Sequence, residues 1–288
     1  MTRLDCIPCL LAHALKTIRK SGVNEDLERE LFADAVEASR VLLEGAPAPV
    51  AARAIYRSIS SKTGIADPFR DFKLRSTEMA SRILPRLQDI VSNSQNRFVK
   101  AVEFAIAGNA IDLVQMEEKD LHSIIGLLEG HSAELSGAND VEKLQDEIRS
   151  AKTVLIIGDN AGEAVFDTIL LEQMHGKKLY YGVRGGPALN DVTEREAIES
   201  GIGVFAEIIS SESNVPGTLL EEVGEKFREI FDSADVVIAK GQGNLETLDT
   251  APRPIYHLFK AKCEPIARLT GRKVGDFVVW RNSPKTAR

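Results

Sequence analysis

Three cysteines in 288 residues are too few to build a disulfide framework, so a reducing cytoplasm is the expected setting. No uninterrupted apolar run approaches the roughly 20 residues that a membrane span needs. The N-terminal stretch MTRLDCIPCLLAHALKTIRK does not read as a signal peptide, because Asp5 and His13 interrupt its short apolar run. There is no basic excess. Lys and Arg number 36 against 43 Asp and Glu, a net charge of −7, so no nucleic-acid partner is expected. A small anionic ligand stays open, since a local cationic pocket can form on an acidic protein. The five histidines (His13, His122, His131, His175, His257) show no HxxxH or HxH spacing, which argues against a histidine-rich catalytic metal site. GQGN lacks the GK[ST] ending of a Walker loop, and neither GDNAGE nor KGQGNLE completes GxGxxG. There is no internal repeat and no low-complexity tract. The oligomeric state stays open, a homo-oligomer included.

What is present is ordinary globular composition, 43% hydrophobic and 27% charged, arranged in two unlike halves. Residues 1–150 read as helical. NEDLERELFADAVEASRVLLEG carries apolar residues at three- and four-residue spacing, and Gly22, Gly45 with Pro47, and Pro68 punctuate the segments. NRFVKAVEFAIAGNAIDL predicts a buried helix, and DVEKLQDEIRSA a charged one. Residues 151–288 alternate strands with helices. KTVLIIG (152–158), KLYYGV (178–183), IGVFAEII (202–209), DVVIAK (235–240), IYHLF (255–259) and DFVVW (276–280) predict strands. Helices are expected from about Glu163 to Met174, from about Thr193, and around Leu219 to Ile230. The order predicts a mostly parallel sheet with helices on both faces, a three-layer α/β/α arrangement.

Three segments place polar residues just beyond buried strands: Asp159, Asn160, Gly162 and Glu163; then Arg184, Asn190 and Asp191; then Lys240, Gly241, Gln242, Gly243, Asn244 and Glu246. Ligands of open α/β sheets bind beyond the carboxyl ends of the strands. If these strands are neighbours, the three segments share one crevice. Asp159, Asn160 and Asp191 then offer two carboxylates and an amide oxygen, a set suited to a hard divalent ion such as Mg²⁺ or Mn²⁺. Lys240 can act as a point charge on phosphate. Asn160, Gly162, Arg184, Asn190, Gly241 and Asn244 are expected to line the substrate side, with backbone amides exposed at the glycines. Metal, lysine and amides around one point suit phosphoryl transfer to water. Each piece also has a plainer reading. Asp-Asn before a helix is commonly an N-cap, Asn190-Asp191 can be a turn and cap, and a strand-end lysine is commonly solvated.

DNAGE after a hydrophobic strand, RGGPALNDVT and KGQGNLE, in that order, resemble the damage-control phosphatases, formerly a domain of unknown function. Asp5-Cys6-Ile7-Pro8-Cys9 resembles the subfamily marked by CxxC, and DPFRDFK (67–73) and GNAID (108–112) extend the likeness over most of the chain. The resemblance implies a helical N-terminal part packed on a Rossmann-like part. It implies a metal-dependent phosphatase of small phosphorylated metabolites, such as sugar phosphates or damaged cofactor intermediates, supported by Mn²⁺, Co²⁺ or Ni²⁺. It implies Asp159, Asn160 and Asp191 as metal ligands, Glu163 as a substrate-contacting or base-like acid, and Lys240 as the phosphate-binding lysine. Some relatives read DNAGxE where this chain reads DNAGE, which leaves Glu163 less firmly placed than Asp159. Asp159 or Glu163 would orient or deprotonate the attacking water; direct attack and an aspartyl-phosphate both stay open.

Cys6 and Cys9 begin a helix and could be packing residues, half a zinc site or a redox pair. Arg70 and Lys73 could meet an anionic substrate or lie on a solvated face, and Asn109 and Asp112 could form a second layer behind the site. Two other functions compete. One is an S-adenosylmethionine-dependent methyltransferase, suggested by the Gly-Asp turn after the first strand but lacking GxGxG. The other is a non-catalytic metal or redox sensor built around CxxC.

Overall fold

The computed structural model describes residues 4–108, 135 and 137–284. Helices α1 (Cys6–Lys20), α2 (Glu25–Ser39) and α3 (Ala48–Thr63) come first, then the long α4 (Arg70–Ser92), α5 (Arg97–Ala107) and α6 (Ala138–Ser150). The α/β part follows: β1 (Thr153–Ile157), α7 (Ala161–Glu172), β2 (Lys178–Val183), α8 (Glu194–Glu199) and β3 (Glu207–Ser210). It ends with α9 (Glu225–Ser233), β4 (Val236–Lys240), α10 (Gly241–Leu248), β5 (Tyr256–Lys260), α11 (Glu264–Thr270) and β6 (Phe277–Arg281).

The six strands lie in the order β3-β2-β1-β4-β5-β6. Five are parallel and β6 runs antiparallel to β5 at one edge. The α/β fold read from the sequence is therefore present. β1 shows why a continuous apolar run is needed. Val154 and Ile156 join one hydrophobic cluster while Leu155 and Ile157 join another on the opposite face. The first cluster packs against α4, α5, α6 and α7, through residues such as Leu87, Phe104, Leu144 and Phe166. The second packs against α9 and α10, through Phe227, Phe231 and Leu248. A third cluster, including Ile18, Leu31 and Ile55, joins α1, α2 and α3 to one another. In sequence the helical and α/β segments divide near residue 150; in space one core crosses that point.

Two element boundaries differ from the periodicity. The strand expected over 202–209 occupies only Glu207–Ser210, because residues 202–204 form a 3-10 turn after Gly201 at φ +80°. The helix expected around Leu219 to Ile230 begins only at Glu225. Gly224 N–H donates to Ser211 O at 3.0 Å, which holds the chain against the end of β3 until that point. Asn109 and Asp112 lie outside the described residues. Among the described residues, no helix is long and apolar enough to cross a membrane.

The chain runs outward from β1 to β2 and β3, then returns to place β4 on the other flank of β1. The crevice between the carboxyl ends of β1 and β4 is the topological switch point of the sheet.

His257 on β5 is fully buried beside Trp280, ring centroids 5.6 Å apart, and neither ring nitrogen has a hydrogen-bond partner among the described residues. Burial pushes its pKa down to about 3. The folded state therefore keeps a neutral imidazole where the unfolded chain, titrating near 6.5, takes up a proton. The resulting stability is complete above about pH 6.5 and is lost as pH falls towards 3. His257→Phe should flatten the fall in melting temperature between pH 6.5 and 4 relative to the parent chain. Parallel melting curves for the two proteins across that range would contradict it.

Candidate active site

β1 ends at Ile157, and the next residues turn sharply into α7. Asn160 occupies the N-cap position of α7, but its side chain makes no capping hydrogen bond. Instead its Nδ2 donates to Asp159 Oδ2 at 2.8 Å and to Glu163 Oε2 at 3.1 Å. The plain N-cap reading therefore fails for this pair. The segment after β2 folds back onto the same turn: Asn160 and Asp191 form an isolated antiparallel bridge, Ala161 N–H donates to Asn190 O at 2.9 Å, and Val192 N–H to Asp159 O at 2.8 Å. These backbone bonds bring Asp159, Asn160 and Asp191 together, as the crevice argument requires. Asn190 and Asp191 do not cap α8; Thr193 does, in a capping box with Glu196.

The third segment closes the crevice from β4. Gly241 adopts φ +74°, and a Cβ placed there would lie 2.0 Å from Asp159 Oδ2. Only glycine lets the α10 turn come this close to that carboxylate. Gly162 serves a different contact from the expected one. A Cβ on it would lie 2.7 Å from Ser76 Cβ, so this glycine seats α7 on α4 rather than opening the backbone to a ligand.

Three residues expected at the substrate make hydrogen bonds to the protein itself. Lys240 is fully buried, and its ammonium donates to Glu163 Oε1 at 2.6 Å, Asp167 Oδ1 at 2.5 Å and Ala105 O at 2.8 Å. An ammonium has three protons, so none is left for a phosphate in this arrangement. Arg184 donates to Asp191 Oδ2 at 2.7 Å, Thr218 Oγ1 at 3.2 Å and Asn244 Oδ1 at 3.1 Å, and it positions Asp191. Asn244 Nδ2 donates to Gly158 O at 3.0 Å and Lys240 O at 2.7 Å, tying the ends of β1 and β4 together. Lys73, read as a possible anion contact, is buried and paired with Asp67 at 2.7 Å and Glu196 at 3.1 Å; Arg70 is exposed.

Asp167 was not singled out from sequence. It is fully buried one helical turn beyond Glu163, and its Oδ2 accepts a 2.7 Å hydrogen bond from Tyr181. An acid four residues from another, inside the apolar run AVFDTILLE, was the available signal.

The buried acids Asp159, Glu163, Asp167 and Asp191 outnumber the buried bases Arg184 and Lys240 by two. Burial and the neighbouring charges together set the titration. Burial and then the neighbouring Asp191 push Asp159 up to about 6. Burial pushes Glu163 up to about 7, against the opposing pull of Lys240. Burial also raises Asp191, although Arg184 draws it down. Burial acts to lower Lys240, but Asp167 and Glu163 outweigh it and hold the lysine above its ordinary value. Burial is the main cause in the acids, and the neighbouring carboxylates are the cause in the lysine. The donor set fits a divalent cation on this account: two carboxylates and an amide at one point, in a cluster short of two positive charges.

Comparison with known proteins identifies the family. A family profile described as the damage-control phosphatase ARMT1-like domain matches residues 2–278. The chain belongs to that family. A damage-control phosphatase of Pyrococcus horikoshii is 31% identical over 291 residues, covering 98% of each chain. Another from Archaeoglobus fulgidus is 32% identical over 280 residues, covering 95% of this chain and 96% of that one. The crystal structure of a DUF89 family protein from Pyrococcus horikoshii superposes with a TM-score of 0.84 at 29% identity, covering 98% of this chain and 99% of that one.

The CxxC that resembles one branch of the damage-control phosphatases lies in the first turn of α1, Cys6 half-buried and Cys9 exposed; all three cysteines are free thiols. Burial, Cys263 and Glu246 raise the Cys9 pKa, so Cys9 lies within electrostatic reach of both. Among the described residues, no group of three or more His, Cys, Asp and Glu side chains is arranged to hold a metal ion. Asp159, Asn160 and Asp191 contribute two such side chains, and their third donor is an amide oxygen.

Lys240→Met would leave Glu163 and Asp167 buried without their shared counter-charge. Removing one partner of a buried ion pair costs about 3–5 kcal/mol, so the urea midpoint should fall sharply near neutral pH. An unchanged midpoint would contradict the burial of this ammonium between the two acids.

Proposed function

We propose that this damage-control phosphatase family member hydrolyses small phosphomonoesters, sugar phosphates or damaged cofactor intermediates among them, with a divalent cation held by Asp159, Asn160 and Asp191. The observation that carries the reading is the convergence of these residues at the switch point of the sheet, within a buried cluster that carries two more acids than bases. Mg²⁺, Mn²⁺, Co²⁺ and Ni²⁺ all accept oxygen donors of this kind. When bound, such an ion supplies Lewis acidity at a phosphoryl oxygen and lowers the pKa of a coordinated water.

The chain's own residues do the rest. Arg184 fixes the Asp191 carboxylate through Nε, so that side chain enters the site in one orientation. Asn160 spans Asp159 and Glu163. Lys240 stays behind Glu163 and Asp167 and neutralises part of their charge, which keeps the acids close together without direct contact with substrate. Lys240 and Asn160 each engage one oxygen of Glu163, and Asn160 also donates to Asp159; one of these two acids orients a water or accepts its proton. Gly241 lets the turn after β4 pack its backbone directly against the Asp159 carboxylate. The damage-control phosphatases of Pyrococcus horikoshii and Archaeoglobus fulgidus, related over nearly the whole chain, support the same class of reaction. The methyltransferase reading requires an open glycine turn after β1, and Asp159, Asn160 and Glu163 fill that turn.

Hydrolysis of p-nitrophenyl phosphate by metal-stripped protein should return when one of these ions is restored. Asp159→Ala and Asp191→Ala should each lower the restored kcat/KM by at least about 100-fold, the scale of losing a principal transition-state contact, with circular dichroism unchanged. Variants as active as the parent would sink the assignment. Gly241→Ala should also abolish turnover, since the added methyl collides with the Asp159 carboxylate. A fully active Gly241→Ala protein would show that this close approach has no part in catalysis.

A further inference from the structure

A cavity of about 130 Å³ opens between α3 and the turns that follow β2 and β3. Tyr56 and Arg57 line it from the helical side, with Phe69 beside them; Leu189 and Asn214 line it from the α/β side. It adjoins the proposed metal site through a single turn. Ala188 also lines the cavity, and its carbonyl accepts from Asp191 N–H at 3.0 Å, closing a four-residue turn. The ends of such a turn lie within about 7 Å of each other. Leu189, inside the turn, sits at φ 54°, a conformation that β-carbon-bearing residues seldom adopt. The turn is tied at both ends, by the Ala188–Asp191 bond and by Ala161 N–H on Asn190 O, so the strained residue is held against the cavity by the same bonds that place Asp191.

The walls are fixed. Tyr56 Oη lies 2.6 Å from His13 Nδ1, and the Tyr56 and Phe69 rings meet edge to face at 5.7 Å. Arg53 is bound by both terminal nitrogens to Glu222, which joins α3 to the segment after β3. The charges around the cavity are matched with one exception. Asp67 is paired with Lys73, and Glu222 with Arg53. Arg57 feels Glu222 electrostatically but makes no hydrogen bond or ion pair among the described residues. The cavity therefore has aromatic edges, an amide and one uncommitted guanidinium, one turn away from Asp191.

We propose that this cavity receives the leaving group of the phosphomonoester and selects one that carries a second anionic group, which Arg57 binds. The inference rests on the phosphatase reading for what occupies the metal site, but the Arg57 contact can be tested by binding alone. A guanidinium meets a carboxylate or a phosphate through paired N–H donors, and the aromatic edges accept the carbon skeleton between the two anions. The second anion is thus either carboxylate or phosphate, and the choice of ligands separates the two.

The experiment measures equilibrium dissociation constants for glucose 6-phosphate, 6-phosphogluconate and glucose 1,6-bisphosphate, with the parent protein, Arg57→Ala and Arg57→Glu. Arg57 is exposed on α3, so neither substitution disturbs the core. At least one of the doubly anionic esters should bind the parent about tenfold or more tighter than glucose 6-phosphate, the scale of one charge-assisted contact. Preference for 6-phosphogluconate identifies a carboxylate, and preference for the bisphosphate a second phosphate. Arg57→Ala should bring that ratio close to one, and Arg57→Glu below it. Equal binding of all three by the parent, or a ratio that survives Arg57→Ala, would overturn the inference. Selective binding without hydrolysis of any of them would count against the phosphatase reading and leave the Arg57 subsite standing.

Discussion

The ammonium of Lys240, closed off from solvent between Glu163, Asp167 and the Ala105 carbonyl, is the contact on which the site depends. It joins three elements distant in sequence: the end of β4, the first two turns of α7 and the end of α5. A cation in that position lets two acids lie inside a hydrophobic interior that would otherwise exclude them. It also fixes where β4 stops relative to α7, and so where Gly241 passes over Asp159. The closeness of Gly241 to that carboxylate follows from a charge pairing underneath it.

The same contact leaves the cluster unbalanced. One lysine and one arginine face four buried acids, and burial raises the pKa values of Asp159, Glu163 and Asp191. Such a cluster is an unfavourable thing to fold around unless a cation completes it or the acids keep protons. Arg184, Thr218 and Asn244 make the costly geometry rigid by linking the ends of β1, β2 and β4 in one hydrogen-bonded set.

Much of the architecture was legible. β1 and β4 lie close to where their continuous apolar runs place them, because a strand covered on both faces tolerates little else, and β2 spans the KLYYGV segment read as a strand. The meeting of Asp159, Asn160 and Asp191 was also legible, since all three lie just past strand ends in an alternating α/β chain. Lys240 was visible only as a strand-end lysine. Its acid partners lie 77 and 73 residues away, and nothing local announces that the side chain turns inward. The mutual bond of Arg184 and Asn244, 60 residues apart, was hidden for the same reason: polar side chains near a crevice look like ligand contacts until their own partners are known. Gly162 was read as an opening for ligand, whereas its neighbour is Ser76 on a helix from the other half of the chain.

By itself the sequence determined the elements, their alternation, the positions at which polar groups leave buried strands, and through its motifs the family. These are local properties, set by side-chain periodicity and by runs of a few residues. Tertiary structure alone decided which polar groups face the crevice and which are spent holding it together. It also decided that one core runs through both halves and that a cavity with an uncommitted arginine opens beside the site. Those outcomes depend on strand order and on pairings across scores of residues, where the energy of a buried charge is settled by neighbours that the linear order keeps apart.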